Sequence, residues 1–180
     1  PMAFEAQYFS ALYTSRYADS LFKVIDRNRD RISEHFPKTN AKTGSLENTR
    51  EYSTEIENRQ RDKSYFMHLI LKKDGDEPIG FIDIKNIDWQ ERRAEMGAFV
   101  DIQFENLGIM THFSNKLLDQ IAFEHGFSTL FCRIFPHNVR SIRLVERNGF
   151  LLKQTHEDLR PAKEGRFNLY EKDFKARMPL

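Results

Sequence analysis

The stretch that decides the fold is "HNVRSIRLVERNGF", residues 137–150. It predicts one short helix, because Asn138 is a favourable N-cap and Asn148-Gly149 is a favourable exit, with glycine supplying the left-handed residue. Asn138 and Ser141 stand together at the start of this helix. Helix capping explains the pair, and so does a bound ligand. Taken alone, the stretch favours capping.

The composition predicts one globular domain over residues 1–180, since 39% of the residues are hydrophobic and 16 are Phe. The 28 basic and 27 acidic residues nearly cancel, so a net charge of +1 gives no reason to expect a nucleic-acid partner. No apolar run approaches the ~18 residues of a membrane span, and no secretory signal is expected. The single Cys132 excludes an intrachain disulfide, which favours a cytoplasmic protein.

The first third of the chain is predicted to be mostly helical after a short strand. "AQYFSAL" (6–12) reads as that strand, and Thr14 or Ser15 is expected to cap the helix that follows. Residues 37–45 are predicted to be a polar, mobile loop. Ser45 is expected to open a second, charged helix.

The rest of the chain alternates strands and helices. Three β-rich runs are predicted to form an antiparallel meander: residues 64–73, 78–87 and 92–100. A helix from about Thr111 to His125 then leads to a strand at 129–135, which predicts a parallel crossover with 92–100. The final strands are expected at 150–155 and 166–174. The fold class is therefore α/β, with one mixed sheet covered by helices.

The junction "DIQFENLGIMT" (101–111) could carry chemistry. A strand runs into a tight loop with Gly108, and a helix begins directly after it. Such a turn presents unpaired backbone N–H groups and the positive end of a helix dipole, which suit a phosphate or diphosphate. On local sequence alone, an ordinary connection between strand and helix is favoured, because one glycine is a weak signal.

The order of these parts resembles a known family, the GNAT superfamily of acyl-CoA-dependent N-acetyltransferases, and within it the RimJ/RimL-like branch. "EPIGFIDIKNIDWQERRAEMGAFV" is similar to two of its strands, and "ENLGIMT" to its pyrophosphate loop. "NVRSIRLVERNGF" is similar to its Asn-x-x-Ser-x-x-x-x-Glu-x-x-Gly-Phe signature. The resemblance implies a mostly antiparallel mixed sheet with helices on both faces. A parallel strand pair splits that sheet into a V, which acetyl-CoA enters.

The resemblance also assigns residues to the cofactor. Backbone groups of Ala98, Phe99 and Val100 would hold the pantetheine arm. Asn138 would hydrogen-bond pantetheine, and Ser141 would lie near the sulfur and act in catalysis. The diphosphate would bind the amides of a loop made of Asn106, Leu107, Gly108, Ile109, Met110 and Thr111.

Two residues of this loop depart from the family pattern. Glu105 stands where Gln or Arg is usual, and Met110 stands where Gly or Ala is usual. An acid beside a diphosphate weakens binding unless its side chain points away. These departures raise the alternative of a non-catalytic acyl-CoA-binding module.

Amine acetylation needs a neutral amine, and two regions could supply a general base. Glu95 lies on the strand face that leads toward the thioester site, although it could be a surface acid paired with Arg92 or Arg93. Glu157 matches the position at which the RimL-like branch receives the amine, and Asp158 is its rival. Cys132 is expected to be a packed core residue and not a nucleophile.

The expected acceptor is the N-terminal α-amino group of a protein, most specifically a ribosomal protein, as the resemblance implies. The alternative is a small amine such as a polyamine, an aminoglycoside or an amino acid. Residues 29–45 and 156–165 are the expected acceptor loops. No metal is expected, because the 6 His residues form no ligand motif.

Overall fold

The computed structural model describes residues 2–158 and 163–174. The helices are α1 Met2–Gln7, α2 Ala18–Asp26, α3 Arg29–His35, α4 Pro37–Lys42, α5 Leu46–Arg61, α6 Ile109–His125 and α7 Val139–Arg147. The strands are β1 Tyr8–Leu12, β2 Phe66–Lys72, β3 Pro78–Asp88, β4 Arg93–Val100, β5 Thr129–Ile134, β6 Leu151–Gln154 and β7 Asn168–Asp173. No helix of the described residues is both long and apolar enough to span a membrane.

The seven strands form one mixed sheet in the order β1-β2-β3-β4-β5-β7-β6. The links from β2 to β3 and from β3 to β4 are only short turns, so both pairs must be antiparallel, as the predicted meander requires. β4 and β5 are parallel, and their register joins Arg93–Glu95 to Thr129–Phe131. Both strands continue beyond the paired residues. The predicted α/β class and the parallel crossover are confirmed.

Two compact units divide the chain: residues 1–83 with 98–109, and residues 84–97 with 110–180. In the first unit, α2 and α5 pack together, and their apolar side chains share a core with β2. Leu21, Ile25 and Ile56 are fully buried there. Ser45 caps α5 by accepting a hydrogen bond from the backbone N–H of Asn48 at 3.1 Å, as predicted.

The first third of the chain is more helical than predicted. Residues 37–45 are not a loop, because α4 occupies Pro37–Lys42 and proline suits the first helical turn. Thr39 and Thr43 are buried, and the Thr43 hydroxyl donates to the Thr39 carbonyl at 2.7 Å. The polar composition suggested solvent exposure, but the Thr43 hydroxyl also accepts from Arg29 of α3 at 3.1 Å, and the Thr39 side chain hydrogen-bonds Tyr52 of α5.

The start of the chain also differs from prediction. Residues 6 and 7 belong to α1, so β1 begins at Tyr8. Thr14 makes no capping bond with its side chain, and a 3₁₀ turn at Ser15–Tyr17 precedes α2. The helix propensities of these residues did not distinguish the 3₁₀ turn from the α-helix that follows it.

In the second unit, β5 alternates between the core and a half-buried face. Leu130, Cys132 and Ile134 are buried, which confirms that Cys132 is a packed residue. Val145 of α7 is also buried, and Gly149 ends that helix with a φ of +84°. The predicted glycine exit of the 137–150 stretch is therefore confirmed.

Gly80 permits close approach of two strands in the first unit. A Cβ placed on Gly80 would stand 2.3 Å from the carbonyl oxygen of Phe99 and 3.2 Å from the Cα of Val100. Backbone atoms cannot yield as a flexible side chain can, so an alanine must push β4 away. This explains why the β3 sequence carries a glycine at this position.

We expect Gly80→Ala to lower the free energy of unfolding by about 1–3 kcal/mol, because it overpacks backbone against backbone. Gly44→Ala is the matched control, since nothing lies within 4 Å of a Cβ there. That control should change stability by less than about 1 kcal/mol. Urea unfolding of both variants checks the prediction, and equal stabilities would contradict it.

Candidate active site

The 101–111 junction has the backbone conformation of an anion-binding turn. After β4, Asp101 caps a 3₁₀ turn at Ile102–Phe104. Asn106 and Gly108 both have positive φ, at 60° and 77°. α6 begins at Ile109, directly after Gly108. The first N–H groups of α6 have no partner within the helix, so they can serve an anion.

The surroundings of Gly108 leave room beside the turn. A Cβ there would have only the Phe4 ring nearby, at 3.8 Å, which is ordinary van der Waals contact. The positive φ of residue 108, and not a lack of space for a side chain, therefore explains why glycine stands at this position. The side chain of Met110, one of the two departures from the family pattern, is buried and is not presented to solvent.

Glu105, the other departure, is paired with a cation. Its side chain is 9% exposed and forms an ion pair with Arg31 of α3. The Arg31 guanidinium also donates to the Val100 carbonyl at 2.9 Å and lies 5.7 Å from the centre of the Phe99 ring. The negative charge of Glu105 beside the loop is thus balanced by the positive charge of Arg31. Sequence reasoning missed Arg31, because nothing in the local pattern of α3 links it to a distant loop.

The end of β4 is tightly held within the first unit. The Phe99 ring lies 5.4 Å from that of Phe81 and 6.4 Å from that of Phe36, centre to centre. Its carbonyl faces Gly80, as described above. Ala98 and Val100, the other residues assigned to the pantetheine arm, are half-buried. This packing gives the backbone of the strand end a fixed position.

In the second unit, Asn138 caps α7, as the opening stretch predicted. Its Oδ1 accepts a hydrogen bond from the backbone N–H of Ser141 at 3.3 Å. Both residues are half-buried. The cap uses the carbonyl of the Asn138 amide and leaves its Nδ2 donor and the Ser141 hydroxyl for other partners. Capping and ligand binding are therefore compatible at this position.

Glu95 is not the surface acid that was considered. It is 6% exposed, and its carboxylate accepts from Arg133 at 3.0 and 2.9 Å and from Asn86 at 2.5 Å. The alternative of a surface acid does not describe Glu95, which pairs with Arg133, while Arg93 pairs with Glu171 at 2.6 Å. The Arg133 guanidinium therefore engages both oxygens of this carboxylate, as in other strong bidentate pairs.

The region 155–158 places its two acids differently. Glu157 is 61% exposed and lies 3.0 Å from the His156 ring. Asp158 closes a turn by accepting from Thr155, and the backbone N–H of Thr155, followed by its hydroxyl, lowers the pKa of Asp158 below its ordinary value. Part of the expected acceptor segment 156–165, residues 159–162, lies outside the described residues. The other expected acceptor segment, 29–45, consists largely of α3 and α4.

Within residues 2–158 and 163–174, no group of His, Cys, Asp and Glu side chains is arranged to hold a metal ion. At the start of α7, the half-buried side chains of Asn138 and Ser141 instead offer an amide and a hydroxyl. These groups suit hydrogen bonding to a carbonyl or a sulfur atom.

The acetyltransferase (GNAT) domain model matches residues 11–151. The match covers well over half of the chain, so the protein belongs to the GNAT family of acetyltransferases. The prediction of an N-acetyltransferase is thereby confirmed. Among curated proteins, none matches the sequence.

Several solved structures share the fold. RimL, the ribosomal L7/L12 α-N-protein acetyltransferase in complex with coenzyme A, is 18% identical, with a TM-score of 0.81 over 94% of this chain and 96% of that one. Ribosomal-protein-S5-alanine acetyltransferase from Vibrio fischeri is 18% identical, with a TM-score of 0.79 over 92% of each chain. A chimera of spermidine N-acetyltransferase SpeG from Vibrio cholerae and hSSAT is 13% identical, with a TM-score of 0.69 over 93% and 95%. These likenesses show the fold alone.

Proposed function

We propose that the protein is a single acetyltransferase domain that transfers the acetyl group of acetyl-CoA directly to a primary amine, namely the N-terminal α-amino group of a protein. The observation that carries the proposal is the 101–111 junction, where two residues of positive φ precede the N-terminus of a long helix. Family membership supplies the reaction class. The similarity to RimL and to the Vibrio fischeri enzyme supports a ribosomal protein as acceptor.

In this proposal the cofactor residues are those that the family resemblance implies. The amides of Asn106–Thr111 bind the diphosphate, and the compensated charge of Glu105 does not oppose it. Backbone groups of Ala98–Val100 hold the pantetheine arm. The Nδ2 group of Asn138 donates to the arm while its Oδ1 maintains the cap.

The reaction needs no covalent enzyme intermediate. The neutral amine attacks the thioester carbonyl, a C–N bond forms, and the C–S bond breaks. The amine loses one proton, and the departing thiolate takes up one proton to leave as the thiol. The Ser141 hydroxyl is proposed to hydrogen-bond the sulfur as its negative charge develops.

Three acids are candidates for the group that receives the amine: Glu95, Glu157 and Asp158. Glu95 remains a candidate, but its bidentate pairing with Arg133 favours a role in fixing the β4–β5 pair. Glu157 is 61% exposed, and it is the better candidate to attract a cationic amine. Asp158 is committed to its turn with Thr155. We therefore propose Glu157 as the acid that receives the amine.

A small-molecule amine is the second candidate acceptor, because the SpeG chimera, a spermidine N-acetyltransferase by name, shares the fold. The non-catalytic alternative rested on Glu105 and Met110, and both have structural explanations. Glu105 is paired with Arg31, and Met110 is buried. These explanations favour an enzyme that turns over. A cytoplasmic location stays a prediction.

Peptides with a free α-amino group should be acetylated faster than the same peptides when N-terminally blocked and carrying lysine. The reason is that a free α-amino group is less basic than a lysine side chain, so more of it is neutral at pH 7. Release of free CoA from acetyl-CoA, with the mass shift of the peptide, measures both rates. Spermidine, an aminoglycoside and free amino acids complete the screen. Equal rates on the two peptide sets would contradict an α-amino acceptor. If no amine caused release of CoA, the result would contradict the proposed acetyl transfer to an amine.

A further inference from the structure

A fully buried carboxylate follows β4. Asp101 is 0% exposed, and four donor groups surround it. The Arg27 guanidinium approaches its Oδ2 at 2.7 Å from Nε and 2.6 Å from Nη2. Asn28 donates to its Oδ1 at 3.1 Å, and so does the backbone N–H of Gln103. The position and direction of this carboxylate are therefore fixed from several sides.

The same short segment holds the next residue as well. The side-chain carbonyl of Asn28 accepts from the backbone N–H of Ile102 at 3.0 Å, and Asn28 is itself only 4% exposed. Its amide also donates to the Val24 carbonyl of α2 at 2.7 Å. Asn28 thus connects the end of α2 to the 3₁₀ turn that follows β4.

Arg31, on α3, reaches both ends of the connection. It donates to the Val100 carbonyl, and it pairs with Glu105 at the edge of the loop. Arg27, Asn28 and Arg31, which we name the 27–31 clamp, together contact the connection at Val100, Asp101, Ile102 and Glu105.

This connection joins the two segments that the proposed function assigns to one cofactor molecule. The strand end binds the pantetheine arm, and the loop binds the diphosphate. Because both groups belong to one ligand, the distance between the two segments decides how well the whole ligand fits. We infer that the 27–31 clamp positions the diphosphate loop relative to the strand end, and that it thereby sets the affinity for the intact cofactor.

Stability alone explains such a network poorly. A buried ion pair can often be replaced by apolar side chains at little or no cost, because the charges lose their hydration. Its orienting effect is different, since a carboxylate with several donors fixes one backbone geometry. The clamp residues touch no reacting atom, so they are positioning residues.

The test compares a ligand that spans both segments with ligands that engage one segment. Asp101→Asn keeps the shape and removes the charge, and Arg27 keeps its second partner, Glu77, at 3.1 Å. We expect the Kd for CoA to rise about tenfold, since misplacement of binding groups by about 1 Å can cost up to ~100-fold. The Kd for ADP, and that for pantetheine, should change less than threefold. Calorimetry on folded protein at a temperature well below the unfolding midpoint measures all three.

Asp19→Asn is the matched control, because Asp19 makes a bidentate pair with Arg50 on the surface of the same unit. It should leave all three dissociation constants unchanged. If Asp101→Asn does not fold, Arg31→Gln combined with Glu105→Gln tests the other end of the clamp and removes both charges together. The same loss for CoA, without a loss for ADP, is expected.

Two results overturn the inference: an unchanged Kd for CoA in the clamp variant, or an equal loss for ADP and CoA. An equal loss would mean that the diphosphate loop itself is damaged, and that a changed distance between the loop and the strand end does not cause the weaker binding. Failure of the parent protein to bind CoA would overturn the proposed function and the inference together.

Discussion

Gly108→Glu is expected to abolish the rise in melting temperature that CoA gives to the parent protein. The new carboxylate would stand among the backbone amides of the loop, where it competes with the diphosphate and repels it. At a CoA concentration of 100 Kd the parent should gain about 2.7 kcal/mol of stability, which is easily measured. The variant should show no gain at the same concentration.

Backbone strain has to be separated from charge in this experiment. Gly108 has a φ of +77°, so any side chain there costs about 1–2 kcal/mol of stability. Gly108→Asn is the first control, because asparagine tolerates this conformation and adds no charge. It should retain much of the CoA-dependent shift.

Gly149→Glu is the second control, since Gly149 also has a positive φ, of +84°, at the end of α7. It should lower the melting temperature and yet keep the full shift with CoA. A CoA-dependent shift in Gly108→Glu equal to that of the parent would show that the loop does not hold the diphosphate.

Ser141→Ala is expected to lower kcat by up to ~100-fold, by analogy with the loss of one oxyanion donor. A hydrogen bond to the sulfur strengthens as the C–S bond breaks, so it acts mainly in the transition state. Its loss should leave the KM for acetyl-CoA little changed. Steady-state kinetics with a working acceptor measure both constants. An unchanged kcat would make Ser141 an ordinary first-turn residue of α7.

Asn138 provides the contrast, because it is expected to hold pantetheine in the ground and transition states alike. Asn138→Ala should raise KM and also destabilise the protein by about 1 kcal/mol, through loss of the cap. Asn138→Asp separates the two effects, since its carboxylate can still accept from the Ser141 backbone N–H but has no amide donor. Normal stability with a raised KM is expected, and a normal KM in this variant would remove Nδ2 as a cofactor contact.

The pattern of the sequence was most informative where local signals agreed with one another. Asn138, Ser45 and Gly149 have the capping and exit roles that their residue types predict. The strands at 64–73, 78–87 and 92–100 were recognisable because short turns separate runs of β-forming residues. The segment 37–45 was misjudged, since α4 forms there and its buried polar groups bond to α3 and α5 as well as to each other, which local composition does not reveal.

Sequence by itself determined the order of helices and strands from Ser45 onward, the strand–Gly108–helix junction and the Asn138 cap, because each depends on neighbours within a few residues. Tertiary structure alone decided which charges meet. Arg31 pairs with Glu105, Arg27 with Asp101, and Arg133 with Glu95. The physical reason is that an ion pair depends on distance in space, and the chain folds back before these partners meet. A buried carboxylate can select its partner only after packing has removed water from around it.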